Sequence, residues 1–446
     1  MQFKRVLGLF EGILDNEVHT GNVASFLKSL DYAPSEEDYS TLEEKGREIV
    51  DKLESVIKKK KIGAEVFLGG SFAKRTMVKK DIHDIDIYVR FDWRYGDLSS
   101  ILEKIVNSSF GKRKNQVVEK IHGSRDYFKV IFSDSLTFEI IPVLSIKHPR
   151  ESRNVTDLSY FHVKYFKKFA KKQKQFNGEV ALAKTFCRAH GVYGAESYIQ
   201  GFSGYALECL IAHYGSFLKM LRSLVKVKDR MIIDLEKQYS KKESPLILMN
   251  ESKLMSPIVL IDPTWRERNA LAALSKESFE VFQKAAREFL AHPRKSDFVF
   301  HPVSRKSFDN IAHKKKAEIL HLNFKTDKQA GDIAGTKLKK FFTFFGNELT
   351  KEFDVFSHIF QYNEKENAEV FYIVKAKKEI VEIGPPVNLA KHAKAFRKCH
   401  KQVFEKNGFL HTYVKTAPSA RAFLEHFRKN SSKKMEDMHI IGIEEI

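Results

Sequence analysis

Residues 66–91, VFLGGSFAKRTMVKKDIHDIDIYVRF, hold the residue types from which phosphoryl chemistry is built. Val66, Phe67 and Leu68 form a short apolar run that stops at Gly69-Gly70-Ser71, and Ile85, Ile87 and Val89 alternate with Asp84, Asp86, Tyr88 and Arg90. Alternate residues of a strand face the same way, so Asp84 and Asp86 project together while the isoleucines pack on the other side. Two neighbouring carboxylates repel each other unless a cation lies between them. Hard oxygen donors without a nearby cysteine favour Mg²⁺, with Mn²⁺ as the alternative. At Gly70 the missing Cβ admits backbone N–H groups and the Ser71 hydroxyl to a phosphate, and Lys74 and Arg75 add positive charge beside it. Alternating Asp and Ile suits any half-exposed strand, and Gly-Gly-Ser suits any turn. Their conjunction, each at the correct end of a strand, points to a metal-and-phosphate site.

A third carboxylate completes a two-metal set. Phe128–Phe132 reads as one strand and Leu136–Pro142 as the next, joined through Ser133-Asp134-Ser135 as a hairpin. Glu139 is the one acid on the second strand, and its apolar neighbours Phe138, Ile140 and Ile141 mark that strand as buried. Upstream, Ser35 followed by Glu36, Glu37 and Asp38 caps a helix whose periodicity runs through Ile49, Leu53, Val56 and Ile57. Leu98–Val106 is expected to be another helix. The first domain therefore reads helix, strand, strand, helix, hairpin.

The Gly-Gly-Ser turn, the Asp-Ile-Asp strand and a separate carboxylate strand ending in Ile-Ile-Pro resemble the polymerase-β-like nucleotidyltransferases. The rest of the chain resembles the archaeal (class I) CCA-adding enzymes. Lys184-Thr185-Phe186, Gly191-Val192-Tyr193-Gly194 and Gly201-Phe202-Ser203-Gly204-Tyr205 keep that family's order and spacing, as does Asp262-Pro263 followed by Arg268-Asn269. The resemblance implies template-independent addition of C, C and A to tRNA 3′ ends from CTP and ATP. It further implies two divalent ions on Asp84, Asp86 and Glu139, with Gly70, Ser71 and Lys74 at the triphosphate. Lys184 and Tyr193 are then triphosphate contacts, Ser159 and His162 contact the nucleotide, and Arg268 helps define the base pocket. Tyr165–Phe176, YFKKFAKKQKQF, reads by itself as a solvated basic helix face. Members of the family commonly form homodimers.

With 77 Lys+Arg against 57 Asp+Glu the formal charge is +20, which suits a polyanionic partner. Cys187, Cys209 and Cys399 lack disulfide or zinc spacing, and no apolar run approaches a membrane span, so a cytoplasmic protein is expected. The N-terminus reads as a short amphipathic helix. The expected fold is α+β. The resemblance implies a nucleotidyltransferase head over residues 1–148, a mixed sheet with helices; a neck over 149–277, expected to be all-helical with one long helix from Phe202; and over 278–446 an α+β body and tail that bind the acceptor stem and elbow of tRNA. In that last part Phe279–Leu290 reads as a helix and Asp332–Leu338 resembles the start of a family helix, while Phe298–Val303 and Glu369–Lys375 read as extended and Asn430–Lys434 as an exposed turn.

Three departures from the family pattern bear on activity: Glu139 where Asp is usual, Arg75 where Gly is common, and Gln200 where Arg is common. Glu139 and Gln200 keep open a related enzyme that adds A or U to RNA 3′ ends, against which the family-specific tail speaks. The basic charge speaks against an oligonucleotide synthetase or a nucleotidyltransferase for protein or small molecules, and the three acids speak against a catalytically inactive RNA-binding homologue.

Overall fold

The computed structural model describes residues 23–79, 83–111, 117–133, 136–240, 244–300, 305–414 and 417–446; the helix expected at the N-terminus lies outside them. By compactness the chain divides into two units, one of Asp15–Ala195 with Ile199–Phe300 and one built mainly from His301–Ile446.

The first unit starts from a five-stranded sheet of β1 (Ala64–Leu68), β2 (His83–Phe91), β3 (Val117–Ile121), β4 (Tyr127–Ser133) and β5 (Leu136–Leu144), in the order β1-β2-β5-β4-β3. Only the β2–β5 pair is parallel. The period-two pattern decides which face is which. Ile85, Ile87, Val89, Phe138, Ile140, Phe128 and Val130 pack with the helices Glu36–Lys59 and Leu98–Phe110 into one apolar core. Each such side chain contributes about 1.5–3 kcal/mol by leaving water. The opposite face is left to Asp84, Asp86 and Glu139. Ser35 caps the first helix as expected, in a reciprocal box with Asp38. The expected element order omits β3, an edge strand whose sequence VVEKI lacks a continuous apolar face.

After the sheet the chain continues in helices Ser159–Lys172, Phe176–Ala189, Gly204–Tyr214, Phe217–Leu224 and Lys276–Ala291. Phe186, Phe217, Phe282 and Phe289 fill the core among them. The single long helix expected from Phe202 is two helices. Gly215 takes a left-handed φ of 80°, and the Ser216 side chain accepts from Lys219 N to start the second. The all-helical expectation for this region is also corrected. Met231–Asp234, Ile258–Asp262 and Trp265–Asn269 form a three-stranded sheet, because Ile258–Ile261 is a short, wholly buried apolar run, strand length rather than helix length.

The second unit holds a four-stranded sheet of Phe353–Tyr362, Asn367–Ala376, Glu318–Thr326 and Ile440–Glu445, in that order, with helices Asp332–Glu352 and Ala420–Asn430 against it. The expected helix from Asp332 and strand over Glu369–Lys375 lie inside these elements. A separate three-stranded sheet, Ile380–Pro386, Phe409–Val414 and Val403–Lys406, carries helix Ala390–Cys399. Gly384 sits under Phe396, whose ring would be 2.6 Å from a Cβ there. Phe298 ends a 3-10 turn, Lys295–Phe298, instead of starting a strand, and residues 301–303 of the expected extended stretch lie outside the described ones. The turn expected at Asn430–Lys434 falls in the end of one helix and the start of another, Ser432–Asp437. Among the described residues no helix is long and apolar enough to cross a membrane.

Candidate active site

Strand register puts the carboxylates on one face of the sheet. In the parallel β2–β5 pair Asp86 lies beside Glu139 and Asp84 beside Thr137, so all three acids share the face opposite helices Glu36–Lys59 and Leu98–Phe110. Asp86 is also the wall against which the glycine turn closes. Gly69 N donates to Asp86 O at 2.8 Å, Gly70 has φ 55°, and a Cβ on Gly70 would lie 1.6 Å from Asp86 Oδ2. Only glycine satisfies both conditions at this position. Gly70 opens a short helix, Gly70–Ala73, that includes Ser71. Tyr88 is buried on the same face, and the Ser159 side chain hydrogen-bonds its hydroxyl. Burial and then the charge of Asp86 push the Tyr88 hydroxyl well above the ordinary phenol range, so it stays protonated.

The donor set suits a hard divalent cation: three carboxylates on one sheet face, and a cradle at Gly70 that a side chain would fill. Among the described residues no three or more His, Cys, Asp or Glu side chains converge closely enough to hold a metal ion. Glu139 Oε1 lies instead 3.0 Å from Lys129 Nζ.

A second cluster lies beyond the glycine turn. Lys74 Nζ donates to Glu208 Oε2 at 2.6 Å, and Thr76 Oγ1 donates to Glu208 Oε1 at 2.8 Å. Lys184 Nζ donates to Thr76 O, Thr76 Oγ1 and Glu208 Oε1 at 2.9, 3.0 and 3.2 Å. Lys74, Thr76, Lys184 and Glu208 are all buried. Burial pulls the Lys184 ammonium down, with the charge of Glu208 offsetting part of it; burial pushes the Glu208 carboxyl up, and the two ammonium groups more than reverse that. A Cβ on Gly204 would be 2.9 Å from the Tyr193 hydroxyl and 3.5 Å from Lys184 Nζ, so these two expected triphosphate contacts converge at the start of helix Gly204–Tyr214.

A third cluster is organised by Asp262, which is wholly buried at the end of its strand. Its Oδ1 accepts from the Tyr205 hydroxyl, Thr264 N and Thr264 Oγ1, each at 2.7 Å, and its Oδ2 accepts from Arg268 Nη1 at 2.7 Å. His162 Nε2 is 3.2 Å from Oδ2, and its ring stacks on Tyr205 with centroids 3.8 Å apart. Tyr205 links the clusters, with Arg268 5.3 Å and Lys74 Nζ 5.9 Å from its ring centre. Burial lowers the His162 pKa by more than the hydrogen bond and charge of Asp262 raise it, and the charges of Arg268 and Lys74 add to the lowering, so the imidazole is neutral at pH 7.

Comparison with known proteins decides the family. Residues 178–299 match the model for the second domain of tRNA nucleotidyltransferase. The CCA-adding enzyme of Nanoarchaeum equitans is 31% identical over 389 residues, covering 86% of this chain and 91% of that protein. The chain belongs to the CCA-adding enzyme family. It is a nucleotidyltransferase. The family relative from Methanocaldococcus jannaschii is 27% identical over 396 residues, 85% of this chain and 84% of its own length. A Cid1 poly(U) polymerase structure matches with TM-score 0.50 and 11% identity, covering 64% of this chain and all of that one, a likeness of fold.

Two departures from the family pattern now have a backbone meaning. Arg75 takes φ 56° and Gln200 φ 52°, both in the left-handed region that glycine favours. Arg75 is held there by hydrogen bonds of 2.7 and 2.9 Å to Glu36 and by its guanidinium 4.9 Å from the centre of the Tyr39 ring. The sequence reading assigns no role to Lys129, Thr76, Tyr205, Glu208 or Asp262, all of which the structure places in these clusters. For Glu208 a signal exists, since it is the one acid in an otherwise apolar helix, GYALECLIAHY.

Proposed function

We propose that this protein adds C, C and A stepwise to the 3′ end of tRNA from CTP and ATP, without a nucleic-acid template and with release of pyrophosphate. The likeness that carries the reading is the 31% identity to a CCA-adding enzyme over nearly the whole of both chains. The pairing of Asp86 with Glu139 beside Gly70 supplies the chemistry. Asp84, Asp86 and Glu139 would hold divalent ions, Mg²⁺ or alternatively Mn²⁺. Such ions, when bound, acidify an acceptor hydroxyl and neutralise charge on the departing pyrophosphate. Gly70 leaves room for the triphosphate, and Ser71 donates to it. Lys74, Lys184 and Tyr193 give it fixed positive charge and a hydroxyl donor. Ser159 acts beside the sugar through Tyr88. Neutral His162 and Arg268, both held by Asp262, face the base, where a guanidinium can read its edge.

In this reading residues 1–148 are head, 149–277 neck and 278–446 body and tail, and the basic C-terminal part holds the acceptor stem and elbow of tRNA by backbone and shape. The protein works in the cytoplasm, as a homodimer. The test uses purified protein, Mg²⁺ and tRNA transcripts ending before CCA, after its first C or after both, with CTP, ATP, GTP and UTP given separately and together. Stepwise C, C, A addition that then stops, and that Asp84→Ala/Asp86→Ala abolishes, supports the proposal. Tails of A or U, or addition to unrelated RNAs, overturn it.

A further inference from the structure

The two lysines expected at the triphosphate come from distant parts of the first unit's sequence, yet their ammonium groups end on one carboxylate. Lys74 follows the glycine turn and Lys184 lies in helix Phe176–Ala189, while Glu208 is in the next helix, Gly204–Tyr214. Glu208 Oε2 takes Lys74 at 2.6 Å, and Oε1 takes Lys184 at 3.2 Å and Thr76 at 2.8 Å. None of the Glu208 surface reaches solvent. Two ammonium groups against one carboxylate leave the cluster with one net positive charge. That charge lies near the catalytic strand, since Lys184 also feels the charge of Asp86.

We infer that Glu208 is a positioning residue, which fixes Lys74 and Lys184 as a preset cationic pair for the triphosphate before nucleotide arrives. The inference rests on the nucleotidyltransferase reading of the site. Lys184 spends its three N–H donors on Thr76 O, Thr76 Oγ1 and Glu208 Oε1, so it acts from its place as a fixed charge. Both side chains have then already lost the rotamer freedom that flexible lysines lose on binding. Without the carboxylate, the two ammonium groups repel in a site that excludes water. Burial, which already lowers the Lys184 pKa, then favours loss of its proton. The pocket would lose a cation although no residue facing the nucleotide had been changed.

The variant is Glu208→Gln, which keeps the shape and one acceptor. Binding of radiolabelled CTP and ATP is followed by equilibrium dialysis with Mg²⁺, beside tRNA affinity and the thermal midpoint. The expected result is a loss of about tenfold in affinity, the same for CTP and ATP, with tRNA affinity unchanged. Glu208→Asp, which keeps the charge one bond further away, should fall between the two. It supplies the answer if the glutamine variant does not fold. Unchanged or tighter nucleotide binding in the folded variant, with only the thermal midpoint lowered, would overturn the inference and leave Glu208 a structural strut. A wild-type protein that binds neither CTP nor ATP would instead overturn the reading on which the inference stands.

Discussion

The Lys129 ammonium lies 3.0 Å from Glu139 Oε1, between residues directly opposite each other in the β4–β5 pair. Burial works to lower the Lys129 pKa, and the charge and hydrogen bond of Glu139 more than reverse it, so Lys129 is a cation at neutral pH. Glutamate is one methylene longer than the family's usual aspartate, a reach of about one bond length. Glu139 here uses its carboxylate on a lysine rather than converging with Asp84 and Asp86.

A divalent ion that takes Glu139 as a ligand therefore competes with Lys129 for that carboxylate. Replacing Lys129 by Met is predicted to tighten Mn²⁺ binding about tenfold, roughly 1.4 kcal/mol, read from the electron paramagnetic resonance of free Mn²⁺. Equal or weaker binding in the variant would show that the lysine does not compete.

Gly70→Ala tests the cradle. The new methyl group meets Asp86 Oδ2 and the residue must keep a left-handed backbone, so the turn or the carboxylate has to move. Single-turnover nucleotide addition should fall by a factor of about one hundred or more, since an ångström of misplacement is enough for that. The loss in stability should be about 1–3 kcal/mol in urea unfolding. Near-normal turnover would mean that the approach of Gly70 to Asp86 has no part in catalysis.

At Arg75 the backbone and the side chain pull in opposite directions. Arg75→Ala keeps the left-handed strain and loses the contacts with Glu36 and Tyr39, whereas Arg75→Gly loses the contacts and relieves the strain. The glycine variant should be more stable than the alanine variant by about 1 kcal/mol. The opposite order in denaturant midpoints would refute a left-handed Arg75.

Two buried histidines set an acid limit. Burial, helped by the charge of Arg294, pushes the His190 imidazole down to about 4 from its ordinary 6.5, and burial lowers His162 as well. Below pH 6.5 the unfolded chain therefore binds protons that the folded chain refuses. Their contribution to stability is complete above about pH 6.5 and is lost as the pH falls toward 4. For His190 it is about 3 kcal/mol. The thermal midpoint should drop over that window, and His190→Leu should flatten the drop; an equal slope in the variant would exclude His190 as a source.

Asp262→Asn places an N–H₂ group where one carboxylate oxygen accepted from Arg268, His162 or Tyr205. Burial pushes Asp262 up, but His162, Arg268 and Thr264 hold it ionised, far below the usual carboxylate range. Removing that charge should cost about 3 kcal/mol and blunt discrimination between CTP and UTP, measured by competition for the first addition. Retained discrimination at lowered stability would confine Asp262 to holding the fold.

Elements marked by strong local signals are legible in the amino-acid pattern. The Ser35 cap, the alternation along Ile85–Val89 and the hairpin strand at Leu136–Pro142 each follow from contacts within a few residues. β3 is not legible in this way, because Val117–Ile121 is an edge strand that takes its conformation from pairing with β4 rather than from its own pattern. Gly215-Ser216 does carry a local signal, a helix stop followed by a helix start, but the strongly apolar residues on either side mask it as one continuous helix.

The order of residues along the chain is enough to mark which of them have the types and spacing for phosphoryl chemistry: two carboxylates at period two, a glycine turn before them and a third acid on an apolar strand. It is also enough to identify the family, since those motifs keep their order. What those residues touch was settled by folding alone. Pairing of β2 with β5 brings Asp86 beside Glu139, the β4–β5 register sets Lys129 on Glu139, and helix packing closes Lys74 and Lys184 onto Glu208 and His162 onto Asp262. A charge buried away from water must find its partner across space, and the distance along the chain to that partner, 134 residues from Lys74 to Glu208, leaves no local pattern to read.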